Sequence, residues 1–154
     1  MSDGSSSAFP QQIPATDERL VWSGTISLEQ SQDWVMPWRL PCEQLDLFPP
    51  EPLHENAACP AGVRLRFRTD AEALQILVAP AEADGALDVY ADDAFCQTPR
   101  FSAGHTAVAC EGLPAGEKAL EVWLDPGVPF RLRGIALPDG ARLSTNEDTR
   151  PRWI

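Results

Sequence analysis

Short runs of alternating apolar and polar residues recur along the chain, separated by turn-forming residues. The cleanest is Val63 to Thr69, where Val63, Leu65 and Phe67 alternate with Arg64, Arg66 and Arg68. A period of two puts neighbouring side chains on opposite faces of a strand, so this run predicts a core face and an arginine face in water. Leu74 to Val78 is apolar on both faces, as a central strand should be. Leu20 to Leu28 reads as one half-buried strand, with Trp22, Ile26 and Leu28 on one face and Ser23, Thr25 and Ser27 on the other.

Turn residues punctuate these runs. Asp84-Gly85 leads into Leu87 to Ala91, and Asp92-Asp93 leads into Phe95 to Thr98. His105 to Leu113 and Lys118 to Leu124 read as a hairpin closed by Pro114-Ala115-Gly116, with Glu121 and Trp123 pointing away from the core. In the last long run, Phe130 and Leu132 face inward and then Ile135 and Leu137 do. That change of phase across Gly134 predicts a β-bulge. Asp139-Gly140 marks another turn.

Prolines shape the remainder. Pro37 and Pro41 exclude a helix from Trp34 to Phe48 and demote any strand there to an edge. Pro49 to Pro60, with Pro49, Pro50, Pro52 and Pro60, reads as a loop. Residues 1–18 read as a flexible lead-in, ordered at most where Phe9 or Ile13 docks. Eight to ten short strands at near-regular spacing predict an all-β fold, a single antiparallel β-sandwich of jelly-roll type over residues 19–147.

Composition fits that fold. The 154 residues include 15 prolines and one lysine, Lys118. The net charge of −11 argues against nucleic acid, whose phosphates need clustered Lys or Arg. The sequence contains no apolar run near the roughly 18 residues of a membrane span. Met1 to Pro10 lacks the charged and apolar regions of a signal peptide, so the expected location is cytoplasmic and the four cysteines are expected to be free thiols.

The search for chemistry is mostly negative. A hydrolytic triad needs a nucleophile, a base and an orienting acid. Only His54 and His105 could act as imidazole bases, and Ser102, near Gly104 and His105, is the closest approach to a nucleophile–base pair. Cys96 and Cys110 fall on predicted strands, where a thiol packs as a small hydrophobe. Cys42, His54 and Cys59 lack the paired spacing of a zinc site, and Asp84, Asp88, Asp92 and Asp93 are explained by turns. No cofactor or metal is expected, and no catalytic residue is assigned.

One segment suggests binding. Trp34-Val35-Met36-Pro37-Trp38-Arg39-Leu40-Pro41 carries two indoles and a guanidinium on a proline-stiffened stretch. Trp34, Trp38 and Arg39 are candidates for contacting a substrate or a partner, because indoles stack on sugars and anchor interfaces while Arg supplies a planar donor fork. The alternative is that both tryptophans cap one end of the core.

Leu20-Val21-Trp22-Ser23-Gly24, the Trp34 to Pro41 segment and the closing Arg150-Pro151-Arg152-Trp153-Ile154 together carry a resemblance. Residues 18–154 resemble the N-terminal β-sandwich domain of bacterial SGNH/GDSL-type hydrolases, a group that includes a polyketide-tailoring acyltransferase. The resemblance implies a fold like that of carbohydrate-binding modules and a parent protein that hydrolyses or transfers acyl esters. It also implies that residues 148–154 lead into a catalytic domain, with a glycan or acyl ester as possible substrate. The blocks that carry the family's catalytic residues are absent from this sequence. The expectation is therefore a non-catalytic accessory domain partnered by an SGNH catalytic domain, with a free-standing carbohydrate-binding module as the alternative.

Overall fold

The computed structural model describes residues 8–146. Its strands are β1 (Gln11–Pro14), β2 (Val21–Ser23), β3 (Ser27–Gln30), β4 (Val35–Trp38), β5 (Arg64–Thr69), β6 (Leu74–Val78) and β7 (Gly85–Ala86). There follow β8 (Asp88–Ala91), β9 (Ala94–Gln97), β10 (Arg100–Phe101), β11 (Ala107–Cys110), β12 (Lys118–Trp123), β13 (Leu132–Leu137) and β14 (Leu143–Ser144). Between β4 and β5 lie a 3-10 helix, Cys42–Leu47, and α1 (Glu51–Ala58).

Pairings among the described strands are antiparallel and build two main sheets. The first runs β11-β6-β13-β4-β3, with β1 paired to β13 on the side away from β6. The second runs β14-β5-β12-β8-β9, and β2 shares with β14 the side of β5 away from β12. Ile76, Val108, Ile135 and Leu137 of the first sheet and Leu65, Phe67, Val89 and Val122 of the second lie in one buried cluster. Burying each such side chain contributes roughly 1.5–3 kcal/mol, so this inner layer is the main source of stability. The antiparallel sandwich expected from the alternation is the observed fold. Among the described residues no helix is long and apolar enough to cross a membrane.

Several local readings hold in detail. β6 is central, between β11 and β13. The register of β13 against β6 shifts between Leu132 and Gly134, so both halves of β13 face the core as the change of phase requires. Asp92 and Asp93 both have positive φ, 49° and 67°, and form the tight turn between β8 and β9.

Other readings are corrected. The stretch from Pro49 to Pro60 is not simply a loop, because it contains α1. Pro52 sits in the first turn of α1, where a missing N–H costs no internal hydrogen bond, and Pro60 lies beyond its end. The run Leu20 to Leu28 is two strands in different sheets. Gly24, at φ +82°, turns the chain from β2 into the crossing to β3, and Ile26 is left 67% exposed. The expected hairpin of His105 to Leu113 with Lys118 to Leu124 is absent. β11 pairs with β6 and β12 with β5 and β8, so Pro114-Ala115-Gly116 carries the chain from one sheet to the other. A short Pro/Gly turn serves either purpose, and only the partner strands decide.

β4 is not an edge strand, since β3 covers it on one side. Its pairing with β13 is confined to Val35 and Leu132, so Pro37 lies beyond that ladder. The segment expected as a lead-in contains β1, whose Ile13 packs on the core and whose Gln11 donates to the carbonyls of Pro138 and Ala141 at 2.7 and 2.9 Å. Finally, the arginine face of β5 is not a water-washed surface. Arg66 is buried and donates to the Asn146 carbonyl at 2.8 Å, and Arg64 lies over Trp123, its guanidinium carbon 4.8 Å from the ring centre. Arg64 and Arg68 also pair with Glu121 and Glu117. The final Arg150 to Ile154 motif lies outside the described residues.

Candidate functional site

The segment from Trp34 to Arg39 spans β4. Val35 joins the main core, whereas Met36 is buried outside that cluster, which places Trp34, Met36 and Trp38 together on the outer face of the first sheet. Four residues of strand separate the two indoles by about 13 Å, so they are distinct anchor points rather than a clamp.

Trp34 is half-buried, with the Arg131 guanidinium carbon 5.4 Å from its ring centre. Arg131 in turn meets Glu82 at 3.2 Å. Trp38 is half-buried as well, and its Nε1 donates to Glu29 Oε1 across the β3–β4 pair at 2.9 Å. The hydrogen-bonding edge of this indole is satisfied, and its orientation is fixed.

Arg39 has a structural task. Its backbone N–H donates to the Ala57 carbonyl at 2.9 Å, Nε to Cys59 O at 3.0 Å and Nη2 to Asn56 O at 2.7 Å. The last carbonyls of a helix have no intrahelical partner, and the last turn of α1 has no basic residue of its own. Arg39 caps this helix from the neighbouring strand and brings a positive charge to its negative end. Arg39→Ala is expected to lower stability by about 1 kcal/mol, because the contacts are solvent-exposed. Hydrogen exchange should rise first at the amides of α1, and unchanged exchange there would remove this role.

Beside Trp38 lies an open depression of about 500 Å³, lined in part by Leu28, Glu29, Trp38, Cys42, Glu43 and Leu45. Ligand pockets span ~300–1,000 Å³, so its size suits a small ligand or an inserted side chain. A separate apolar void near Phe101, Val108 and Phe130 measures only about 10 Å³, barely room for one water molecule.

Elsewhere the candidate chemistry resolves into structure. His105 Nδ1 accepts from the Ser102 backbone N–H at 3.2 Å, and His54 Nε2 lies 2.8 Å from the Phe48 carbonyl. Asp84, Asp88 and Asp92 accept from Ala103 N, Thr98 Oγ1 and Ala119 N, 19, 10 and 27 residues away, so beyond the Asp92-Asp93 turn these carboxylates tie neighbouring segments together rather than shaping local turns. Among the described residues no three His, Cys, Asp or Glu side chains gather where they could hold a metal. The four cysteines are free. Burial, with Cys96 nearby, pushes the Cys110 thiol up to about 12, far from the thiolate that nucleophilic work requires.

Two features lay outside the sequence reading. Ile26, Leu28, Leu47 and Leu53 are exposed around β3, the 3-10 helix and α1. Lys118 is buried, with Nζ donating to the carbonyls of Ala71, Gly116 and Thr69 at 2.6, 3.1 and 3.4 Å. Exposed leucines inside apparently amphipathic runs carry no local mark. The lysine was visible only as the single Lys of the chain.

Comparison with known proteins places this fold. The profile of the family described as "SsfX3, N-terminal domain" matches residues 20–133. The solved structure of the salicylyl-acyltransferase SsfX3 from a tetracycline biosynthetic pathway superposes with a TM-score of 0.85 at 30% identity, over 92% of this chain and 43% of that one. A putative GDSL-like lipase from Bacteroides ovatus shares the fold at a TM-score of 0.62 and 16% identity, over 90% of this chain and 43% of that one. No curated protein matches. The chain thus spans less than half the length of either solved relative. Matched over most of its length, and built as the sandwich that the resemblance implied, the chain belongs to the SsfX3 N-terminal domain family.

Proposed function

We propose that this chain is a non-catalytic accessory domain, which packs against an SGNH/GDSL-type catalytic domain and helps shape its acyl-ester site. The observation that carries this reading is the match of 92% of the chain to 43% of an acyltransferase, which leaves more than half of that enzyme to a separate part. Trp34 and Trp38 are the residues placed to meet substrate or partner, and Arg39 holds α1 beside them. The free cysteines and acidic surface fit a cytoplasmic setting.

The test is a chimera in which this chain replaces the matching N-terminal part of the SsfX3 acyltransferase. Salicylyl transfer by the chimera should exceed that of the catalytic part alone by at least about tenfold, the scale of ~1.4 kcal/mol in transition-state positioning. Equal rates would overturn the accessory role. The isolated chain should turn over p-nitrophenyl acetate no faster than buffer does.

A second reading, a free-standing carbohydrate-binding module, draws on the indole of Trp38 held by Glu29 at the edge of an open depression. It requires saturable quenching of tryptophan fluorescence by some member of a sugar panel. The accessory reading expects flat titrations.

A further inference from the structure

We infer that the catalytic domain docks on one particular surface, the one formed by the edge strand β3, the Cys42–Leu47 helix and α1. This inference rests on the accessory reading above and names the surface that serves it.

The distribution of exposed apolar residues points there. Among the described residues the large hydrophobics left exposed are Ile26 at 67%, Leu28 at 36%, Leu47 at 66%, Leu53 at 41% and Phe95 at 59%. Phe95 is on β9 in the second sheet, where it meets Tyr90 edge to face. Of the other four, Ile26 lies just before the edge strand β3, Leu28 on β3, Leu47 at the end of the 3-10 helix and Leu53 on α1. Single exposed leucines are ordinary, but Leu28 also lines the open depression that β3 shares with the 3-10 helix, and Leu47 ends that same helix.

This surface is also held ready. Ser27 Oγ donates to the Leu40 carbonyl at 2.6 Å and accepts from Cys42 N–H at 2.9 Å, fastening β3 to the start of the 3-10 helix. The His54 ring meets the Phe48 carbonyl, fastening α1 to the end of that helix, and Arg39 fastens α1 to β4. A face fixed before binding loses little side-chain and loop entropy when it is covered.

Charge selects the occupant. From Ile26 to Cys59 the chain carries Glu29, Asp33, Glu43, Asp46, Glu51 and Glu55, against Arg39 alone, whose guanidinium is committed to α1. A second copy would set this acidic rim against itself, and an anionic lipid surface would repel it. The complementary partner is an apolar protein surface ringed by Lys or Arg. All four exposed residues lie within residues 20–133, the part of the chain that the family shares, so the face belongs to the domain that adjoins the rest of the acyltransferase.

The experiment uses the chimera described above with Leu28→Asp and Leu47→Asp together, and Phe95→Asp as control. Leu47 is 66% and Leu28 36% exposed, and thermal unfolding of the isolated 154-residue chain with and without the pair checks that the fold is kept. The double variant is expected to split the single unfolding transition of the chimera into two and to cut salicylyl transfer at least tenfold. The control should do neither. A double variant indistinguishable from the parent chimera overturns this surface and leaves the accessory reading standing. A parent chimera that already unfolds in two independent steps and transfers no faster than the catalytic part alone overturns the accessory reading itself. Concentration-dependent dimerisation of the isolated chain, abolished by the same pair, would assign the face to a second copy and overturn the inference.

Discussion

Replacing Lys118 by alanine is expected to lower the stability of the domain by roughly 3–4 kcal/mol, or about 10 °C in Tm for a domain of this size. Lys118 opens β12 and is 1% exposed, with its ammonium donating to the carbonyls of Thr69, Ala71 and Gly116. These oxygens belong to the end of β5, the turn after it and the loop before β12, so one side chain closes one end of the second sheet. Alanine leaves the carbonyls without their donor and empties the space of the aliphatic stem; each such loss costs ~1–3 kcal/mol. Lys118→Met keeps the stem and removes the buried charge, and should cost only about 1–2 kcal/mol.

The ammonium also gives a pH signature. Burial holds the Lys118 pKa below its ordinary value, while Asp70, Glu72 and Asp92 pull weakly the other way. The unfolded chain therefore binds the proton more tightly than the folded one. The resulting penalty is fully present below the folded pKa. It is relieved as pH rises through that value toward the ordinary 10.5, so this contribution to stability increases with pH. The difference in unfolding free energy between wild type and Lys118→Met, followed by urea denaturation from pH 7 to pH 10, should shift in favour of wild type. A difference independent of pH would show that the ammonium bears no burial penalty.

Gly24→Ala is expected to cost about 3 kcal/mol, against about 1 kcal/mol for Gly62→Ala, although both glycines have positive φ. At Gly24 a Cβ would collide with the Gly62 carbonyl and press on Val63 Cα, all of it backbone that cannot swing aside. At Gly62, with φ +77°, an added Cβ meets nothing within 4 Å, so only the left-handed strain remains. Gly24 is the point where the chain leaves the second sheet for the first, and relief of the collision means parting β2 from β5. Urea midpoints of the two variants measure the contrast directly. Equal costs would mean that conformational strain, not the close approach, fixes Gly24.

The legible part of the fold was the part written in local alternation. Val63 to Thr69 announced β5, the change of phase announced the bulge at Gly134, and Asp92-Asp93 announced its turn. Each depends on neighbours a few residues apart. The helix at Glu51–Ala58 was hidden because prolines that break a helix inside it are harmless at its first turn. The β11–β12 connection is not legible in the sequence, because a Pro/Gly turn says that the chain reverses or crosses, and not which strand it meets.

The candidate site divides in the same way. Residue type singles out Trp34, Trp38 and Arg39, which lie on and beside β4 simply because they are neighbours in sequence. That Arg39 caps α1, that Glu29 holds the Trp38 indole and that Leu28 and Leu47 stay exposed follow from how neighbouring elements pair and pack, which residue type alone does not state. By itself the sequence determined a β-sandwich of short strands, its bulge and its family, because periodicity, turn chemistry and motifs are properties of adjacent residues. Only the tertiary structure decided which sheet each strand joins, that Lys118 and Arg66 lie inside and which face stays apolar and open. Lys118 finds two of its three carbonyls 47 and 49 residues away and Arg66 meets Asn146 80 residues away, so no local pattern marks them as buried.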